Sequence, residues 1–115
     1  MPDDQLPENG RCRIWYDQLP AYRQPAQMDC QHANWVARTW GGRVIATSGN
    51  VASEQAVYHG RNDFTGVPET SVPRAGYCRA WLSGVTEADQ PAESDCRVAR
   101  QLAEHRRGRV LFMPL

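Results

Sequence analysis

The 115-residue chain contains no lysine: its 13 basic side chains are all arginine, and 13 Asp and Glu balance them to a formal charge of zero. No net field draws in nucleic acid or an anionic membrane, so neither is an expected partner. The missing lysine fits a GC-rich coding bias, or selection for the planar, bidentate contacts that only a guanidinium makes. No apolar run approaches the ~20 residues that span a bilayer, so no transmembrane segment is expected. Residues 1–9 (MPDDQLPEN) are too polar for a signal peptide. The chain has no P-loop, dinucleotide fingerprint, G-x-S-x-G elbow or H-E-x-x-H motif. It also lacks the C-x2-C knuckles that gather a structural zinc.

What the chain does have is one pattern written twice. Gly10, Cys12, Arg13, Trp15, Gln24-Pro25-Ala26, Asp29-Cys30 and Gly42-Arg43-Val44 recur 66 positions later as Gly76, Cys78, Arg79, Trp81, Gln90-Pro91-Ala92, Asp95-Cys96 and Gly108-Arg109-Val110. Without a gap, residues 10–49 and 76–115 share 14 identities in 40 positions, against about two or three for unrelated segments. The pattern reads as a duplicated unit, and each copy serves as a control for the other. No general acid, base or nucleophile other than the cysteines is kept in both, so no catalytic residue is nominated and no cofactor is expected.

The expected organisation is a disordered arm over 1–9, repeat one over 10–49, a connector over 50–75 ending at Pro68 and Pro73, and repeat two over 76–115. Arg11–Tyr16 alternates, with Cys12, Ile14 and Tyr16 on one side and Arg13 and Trp15 on the other, as a strand requires. A proline-punctuated loop follows, and Asp29 and Asp95 stand as N-caps. Cys30, Ala33, Val36, Ala37 and Trp40 fall on one helical stripe, matched by Cys96, Ala99, Leu102 and Ala103. Gly42 and Gly108 read as helix stops. Arg43–Thr47 and Arg109–Met113 read as closing strands, and Gln55–His59 as a short extra one. The expected fold class is α+β: duplicated β-loop-α-β units sharing one sheet, with two helices on one face. Parallel pairing of the two strands in a unit would require a right-handed crossover, and two independent units are the alternative.

Copies of 40 residues are too small to be stable without a staple, a metal or a partner. Cys12 and Cys30 are 18 apart, as are Cys78 and Cys96, so pairing within each repeat is the simplest connectivity. Each bridge would tie the first strand to the first helical turn. A four-cysteine metal site would need the repeats to converge, and redox chemistry would use the helix N-terminus to acidify Cys30 or Cys96; both remain open. Disulfides imply an oxidising compartment, periplasmic or secreted, with an export signal removed or lying outside this sequence. Four reduced thiols would imply the cytoplasm.

Arg13/Trp15 and Arg79/Trp81 share the strand face opposite the cysteines, and Gln24 and Gln90 stand near enough to fold across it. An aromatic-plus-amide surface suits a sugar ring or an extended peptide, so these six residues are the candidate ligand site. Packing under the proline loop, with the arginines bonding loop carbonyls, is the competing structural reading. Trp35 and Trp40 are replaced by Gln101 and Arg106 in the second copy, which marks them as local packing or a partner surface. His32, His59 and His105 are unrepeated. Glu104 has Arg100 and Arg107 at helical spacing, and the arginines from 97 to 109 offer an anionic partner a footing.

The C-R-x-W, Gln-Pro, Asp-Cys, helix and Gly-Arg-Val-Ile series resembles a short cysteine-containing repeat of small Gram-negative envelope proteins and lipoproteins. Its β-α-β plan is more loosely similar to peptidoglycan-binding SPOR-like domains. The resemblance implies an extracytoplasmic location and an envelope glycan or protein partner, but no catalytic residues. The functional expectation is a non-catalytic binding or interaction module using the Arg/Trp faces. The alternatives are an accessory subunit docking through the connector, Trp35 and Trp40, and a redox or metal-binding protein.

Overall fold

The computed structural model describes residues 5–115; residues 1–4, part of the expected arm, lie outside the described residues. The chain divides into two compact units, residues 1–60 and 61–115. It is α+β, with two helices, two antiparallel sheets and two disulfides.

In the first unit, strand β1 (Arg11–Trp15) is followed by the proline loop, the short β2 (Met28–Asp29), helix α1 (Cys30–Trp40), β3 (Gly42–Ser48) and β4 (Val51–Tyr58). The sheet order is β2-β1-β3-β4, antiparallel throughout. Cys12, Ile14 and Val44 face Ala33, Val36 and Ala37 of α1, and all six are buried. Small residues on the helix allow this close approach to the sheet. The second unit repeats the order with β5 (Cys78–Leu82), α2 (Cys96–Arg106) and β6 (Gly108–Phe112). β5 and β6 pair antiparallel, and Cys78, Ala80 and Leu82 are buried with Ala99 and Ala103. Asp29 caps α1 by accepting from His32 N at 3.2 Å, and Asp95 caps α2 from Val98 N at 3.0 Å.

The disulfides are Cys12–Cys30 and Cys78–Cys96, and no cysteine is free. They explain the strand direction. Each bridge fixes the first helical residue beside the start of the opening strand, so helix and strand run the same way. The turn after the helix must then send the closing strand back antiparallel, in place of a parallel crossover. The single shared sheet of the sequence reading is likewise replaced by two sheets. Local segments take the edges that a shared sheet would need. β4 pairs along β3, whereas in the second unit the Asn62 amide accepts from Phe112 N at 2.9 Å and donates to Phe112 O at 2.6 Å.

Two further expectations are corrected. The helix stops are Gly41 (φ 86°) and Arg107 (φ 54°), one position earlier than proposed. Gly42 and Gly108 instead open the closing strands where no side chain fits: a Cβ would lie 2.6 Å from Ile14 Cγ2 in one case and 2.6 Å from Trp81 O in the other. Residues 5–9 are also not a free arm. Pro7 is buried, Glu8 N donates to Gln27 Oε1 at 2.8 Å, and the Asn9 side chain donates to Asn50 Oδ1 and accepts from Asn50 N.

Candidate functional site

The alternation of β1 and β5 places Arg13, Trp15, Arg79 and Trp81 on the sheet faces turned away from the helices, as the cysteine-facing side requires. The register sets Trp15 opposite Arg43 and Arg13 opposite Ile45; in the second unit Trp81 is opposite Arg109 and Arg79 opposite Leu111. All four Arg and Trp side chains of the opening strands are half-buried. Arg13 Nη1 donates to Pro25 O at 2.7 Å and to Gln5 Oε1 at 3.0 Å, so this arginine binds the proline loop. Arg79 Nε is buried with no hydrogen-bond partner among the described residues.

The two glutamines of the candidate site are occupied by the fold. Gln24 Oε1 accepts from Tyr16 N at 2.8 Å, while Nε2 donates to Tyr16 O at 2.6 Å and Leu19 O at 2.9 Å. Gln90 does the same with Leu82 N, Leu82 O and Val85 O, at 2.7, 2.9 and 2.9 Å. Each partner is displaced by the same 66 positions. The amide closes the end of the opening strand onto the loop, and a prolyl residue follows it because the loop must stay extended there. Gln90 is buried. Both glutamine side chains are engaged with their own main chain.

The retained arginine of the closing strand behaves differently in the two units. Arg43 bridges two carboxylates, with Nε 2.9 Å from Asp17 Oδ2 and Nη1 2.6 Å from Glu54 Oε1. Its hydrogen bonds to Glu54, then to Asp17, raise its already high pKa further. Arg109 forms no ion pair among the described residues. Its Nε donates to Asp63 O at 2.9 Å and its Nη2 to Thr65 O. Phe64, between those two carbonyls, is 1% exposed. Arg109 lies on the same face as Leu111, which is fully buried, and residues 62–65 are fastened to β6 through the Asn62 bonds to the Phe112 main chain and the Arg109 guanidinium. In the first unit Ile45 takes the position of Leu111 and stays partly exposed, and Val57, opposite Arg43 on β4, is 45% exposed. The first unit therefore presents Trp15, Arg43, Ile45 and Val57 as an accessible outer face.

Elsewhere, Arg74 binds Glu93 and lies 4.6 Å from the Tyr77 ring centroid. The Arg74 N–H, then its side chain and charge with that of Arg79, hold the Glu93 carboxyl below its ordinary range. Asp63 is likewise lowered, first by the Thr65 side chain and then by its N–H. Glu104 forms no ion pair among the described residues, so the expected pairing with Arg100 and Arg107 is not made. Trp35 is 65% exposed and stacks on His32, with ring centroids 6.1 Å apart, whereas Trp40 is half-buried. Among the described residues no three His, Cys, Asp or Glu side chains gather as a metal site would require, and no helix is long and apolar enough to cross a membrane.

Asn62 and Phe64 were not singled out by sequence reasoning, because each lies outside the repeat, and Arg109 was read as a retained strand residue at the end of a basic cluster. Pro7 and Pro73 were readable. They too are 66 apart, both are buried, and they extend the repeated pattern upstream of Gly10. No protein-family model, no curated protein and no solved structure matches this chain.

Proposed function

We propose that the chain is a non-catalytic, extracytoplasmic binding module built by internal duplication, and that its ligand face is the outer face of the first unit's sheet. The observation that carries this reading is the unequal cover at one matched position: Ile45 is partly open where Leu111 is sealed. Trp15 and Ile45 supply apolar contact, and Arg43 borders it. The duplication is supported by hydrogen bonds that recur at the common offset, such as Gly10 N to Thr47 O and Gly76 N to Met113 O, at 2.9 and 2.7 Å. Location in the periplasm or outside the cell is supported by the two disulfides. The pairing of every cysteine supports a structural role for the disulfides over redox or metal chemistry.

Titrating the isotopically labelled full chain with sized peptidoglycan fragments, and separately with extended peptides, tests the reading by chemical-shift mapping. Shifts at the Trp15 indole, Arg43, Ile45 and Val57 are expected from one of the two ligand classes. Shifts confined to α1 around His32 and Trp35 would replace this reading with the second one: an accessory subunit that docks on a larger assembly through an aromatic pair exposed on its helix.

A further inference from the structure

We infer that the exposed face of α2 docks an acidic helical segment of a partner protein through Arg97, Arg100 and Arg107. This surface is separate from the outer face of the first unit and does not rest on it. Arg97, Arg100, Glu104 and Arg107 follow one another at intervals of three, four and three residues, so they trace one stripe of the helix to its cap. All four are exposed, while Ala99 and Ala103 turn the other way into the core. None of the three arginine side chains has an ion-pair or hydrogen-bond partner among the described residues, and neither does the Glu104 carboxylate.

The scaffold does not call for these charges. The matched positions of α1 hold Gln31, Asn34 and Gly41, in a helix of the same length. Attraction to the negative end of the helix accounts for a cation at position 107. Arg97, however, is the second residue of α2, close to the positive end, and no acidic residue lies in that first turn. Arg107 takes the left-handed backbone (φ 54°) that Gly41 takes in α1 (φ 86°), a conformation that is sterically free for glycine and not for arginine. The acids of the second unit are committed elsewhere. Glu87 accepts from Thr70 Oγ1 and Asp89 from Thr86 Oγ1, each at 3.0 Å, Glu93 binds Arg74, and Asp95 caps α2. A second copy of the chain would have to break such bonds to supply the complement, so the negative charge comes from a different molecule.

Guanidinium groups pair with carboxylates in a planar, bidentate way, and Glu104 decides between sources of negative charge. A continuous polyanion, such as nucleic acid or an anionic bilayer, would be set against Glu104, and a formally neutral chain has no net field to offset that repulsion. A helix laid along α2 repeats the three-four-three spacing in its own side chains. It can set carboxylates against the arginines and a basic side chain against Glu104.

The test uses the full oxidised chain, isotopically labelled, at low ionic strength. The probes are two capped, alanine-rich helical peptides whose glutamates and single lysine copy the spacing of Arg97, Arg100, Arg107 and Glu104, one in each chain direction. One of them is expected to bind with a Kd of about 0.1–1 mM, since a few exposed ion pairs supply little affinity, and to shift the signals of the three arginines. Arg97→Gln/Arg100→Gln should weaken binding about fivefold. Arg107→Gly, which installs the residue of the matched cap, should also weaken binding while leaving the second unit at least as resistant to denaturant, a combination that a purely structural arginine would not give. Replacing the peptide lysine by glutamate should weaken binding through repulsion from Glu104. The proposal is overturned by no shift on α2 at about 1 mM of either peptide, by unchanged binding of the double variant, or by Arg107→Gly binding as the wild type does. Tighter binding of the all-glutamate peptide would make the stripe a polyanion site and overturn its assignment to a protein segment.

Discussion

Replacing Gln90 by alanine tests whether the retained glutamines are clamps or ligand groups. The side chain makes three hydrogen bonds to the main chain at the end of β5, and it is 8% exposed. A net hydrogen bond is worth about 1 kcal/mol, and a buried partner left unsatisfied costs about 1–3 kcal/mol. Losing three at once, with some entry of water, should destabilise the second unit by about 3 kcal/mol. Gln24 is half-buried, so water can replace more of its bonds, and Gln24→Ala should cost about half as much. Gln90→Glu should cost at least as much as the alanine variant at neutral pH, because a carboxylate cannot donate to the carbonyls of Leu82 and Val85. Denaturant titration of the oxidised protein, read by amide exchange so that each unit is followed separately, measures both effects. A change below about 0.5 kcal/mol for Gln90→Ala, the usual range for surface substitutions, would refute the clamp.

Three more outcomes follow from the same geometry. Non-reducing digestion should yield the Cys12–Cys30 and Cys78–Cys96 peptides, and a Cys78→Ser/Cys96→Ser variant should lose about 3 kcal/mol in the second unit on the loop-entropy model; a linkage between repeats would contradict the pairing. Gly108→Ala should fail to accumulate as folded protein, measured by soluble yield and circular dichroism, because the new methyl would collide with the Trp81 carbonyl. The depressed Glu93 and Asp63 carboxyls add stability that is fully present above their ordinary pKa values of 4.5 and 3.8 and is lost as the pH falls through the lower folded values. Acid unfolding should therefore begin below about pH 4.5, and Glu93→Gln should flatten the pH dependence of stability there.

The features legible in the sequence are those written in local periodicity and in the offset between copies. The opening and closing strands of each unit, the two N-capped helices and the disulfide pairing follow from alternation, the 3.6-residue stripe and equal cysteine spacing. Strand direction was not legible, because a β-loop-α-β string permits either sense and only the helix start beside Cys12 or Cys78 decides it. Retention of Gln24 and Gln90 was readable as a fact but not as a role: an amide can face a ligand or its own main chain, and distance alone settles which. The difference between the two outer faces was hidden for another reason. It goes with Asn62–Thr65, which have no counterpart in the repeat and bond to β6 and Arg109, and with an arginine whose identity is kept while its partners change.

Trp35 provides the sharpest separation of scaffold from function within α1. Its position corresponds to Gln101 of α2, a residue exposed in a helix of the same length. The fold thus accommodates a polar side chain there, and little of the indole's surface is removed from water in the unbound chain. Trp35→Gln loses only the stacking on His32, at about 0.5 kcal/mol, and gains slightly in helix propensity. Its stability should match the wild type within about 0.5 kcal/mol, by denaturant titration. A loss above about 2 kcal/mol would mean that the indole is a packing residue, and the accessory-subunit reading would lose its exposed anchor. A silent substitution leaves a large aromatic that the fold does not need, and Trp35→Gln then becomes the variant with which to distinguish docking through α1 from binding on the outer face: it should leave peptide-induced shifts at Trp15 and Ile45 unchanged.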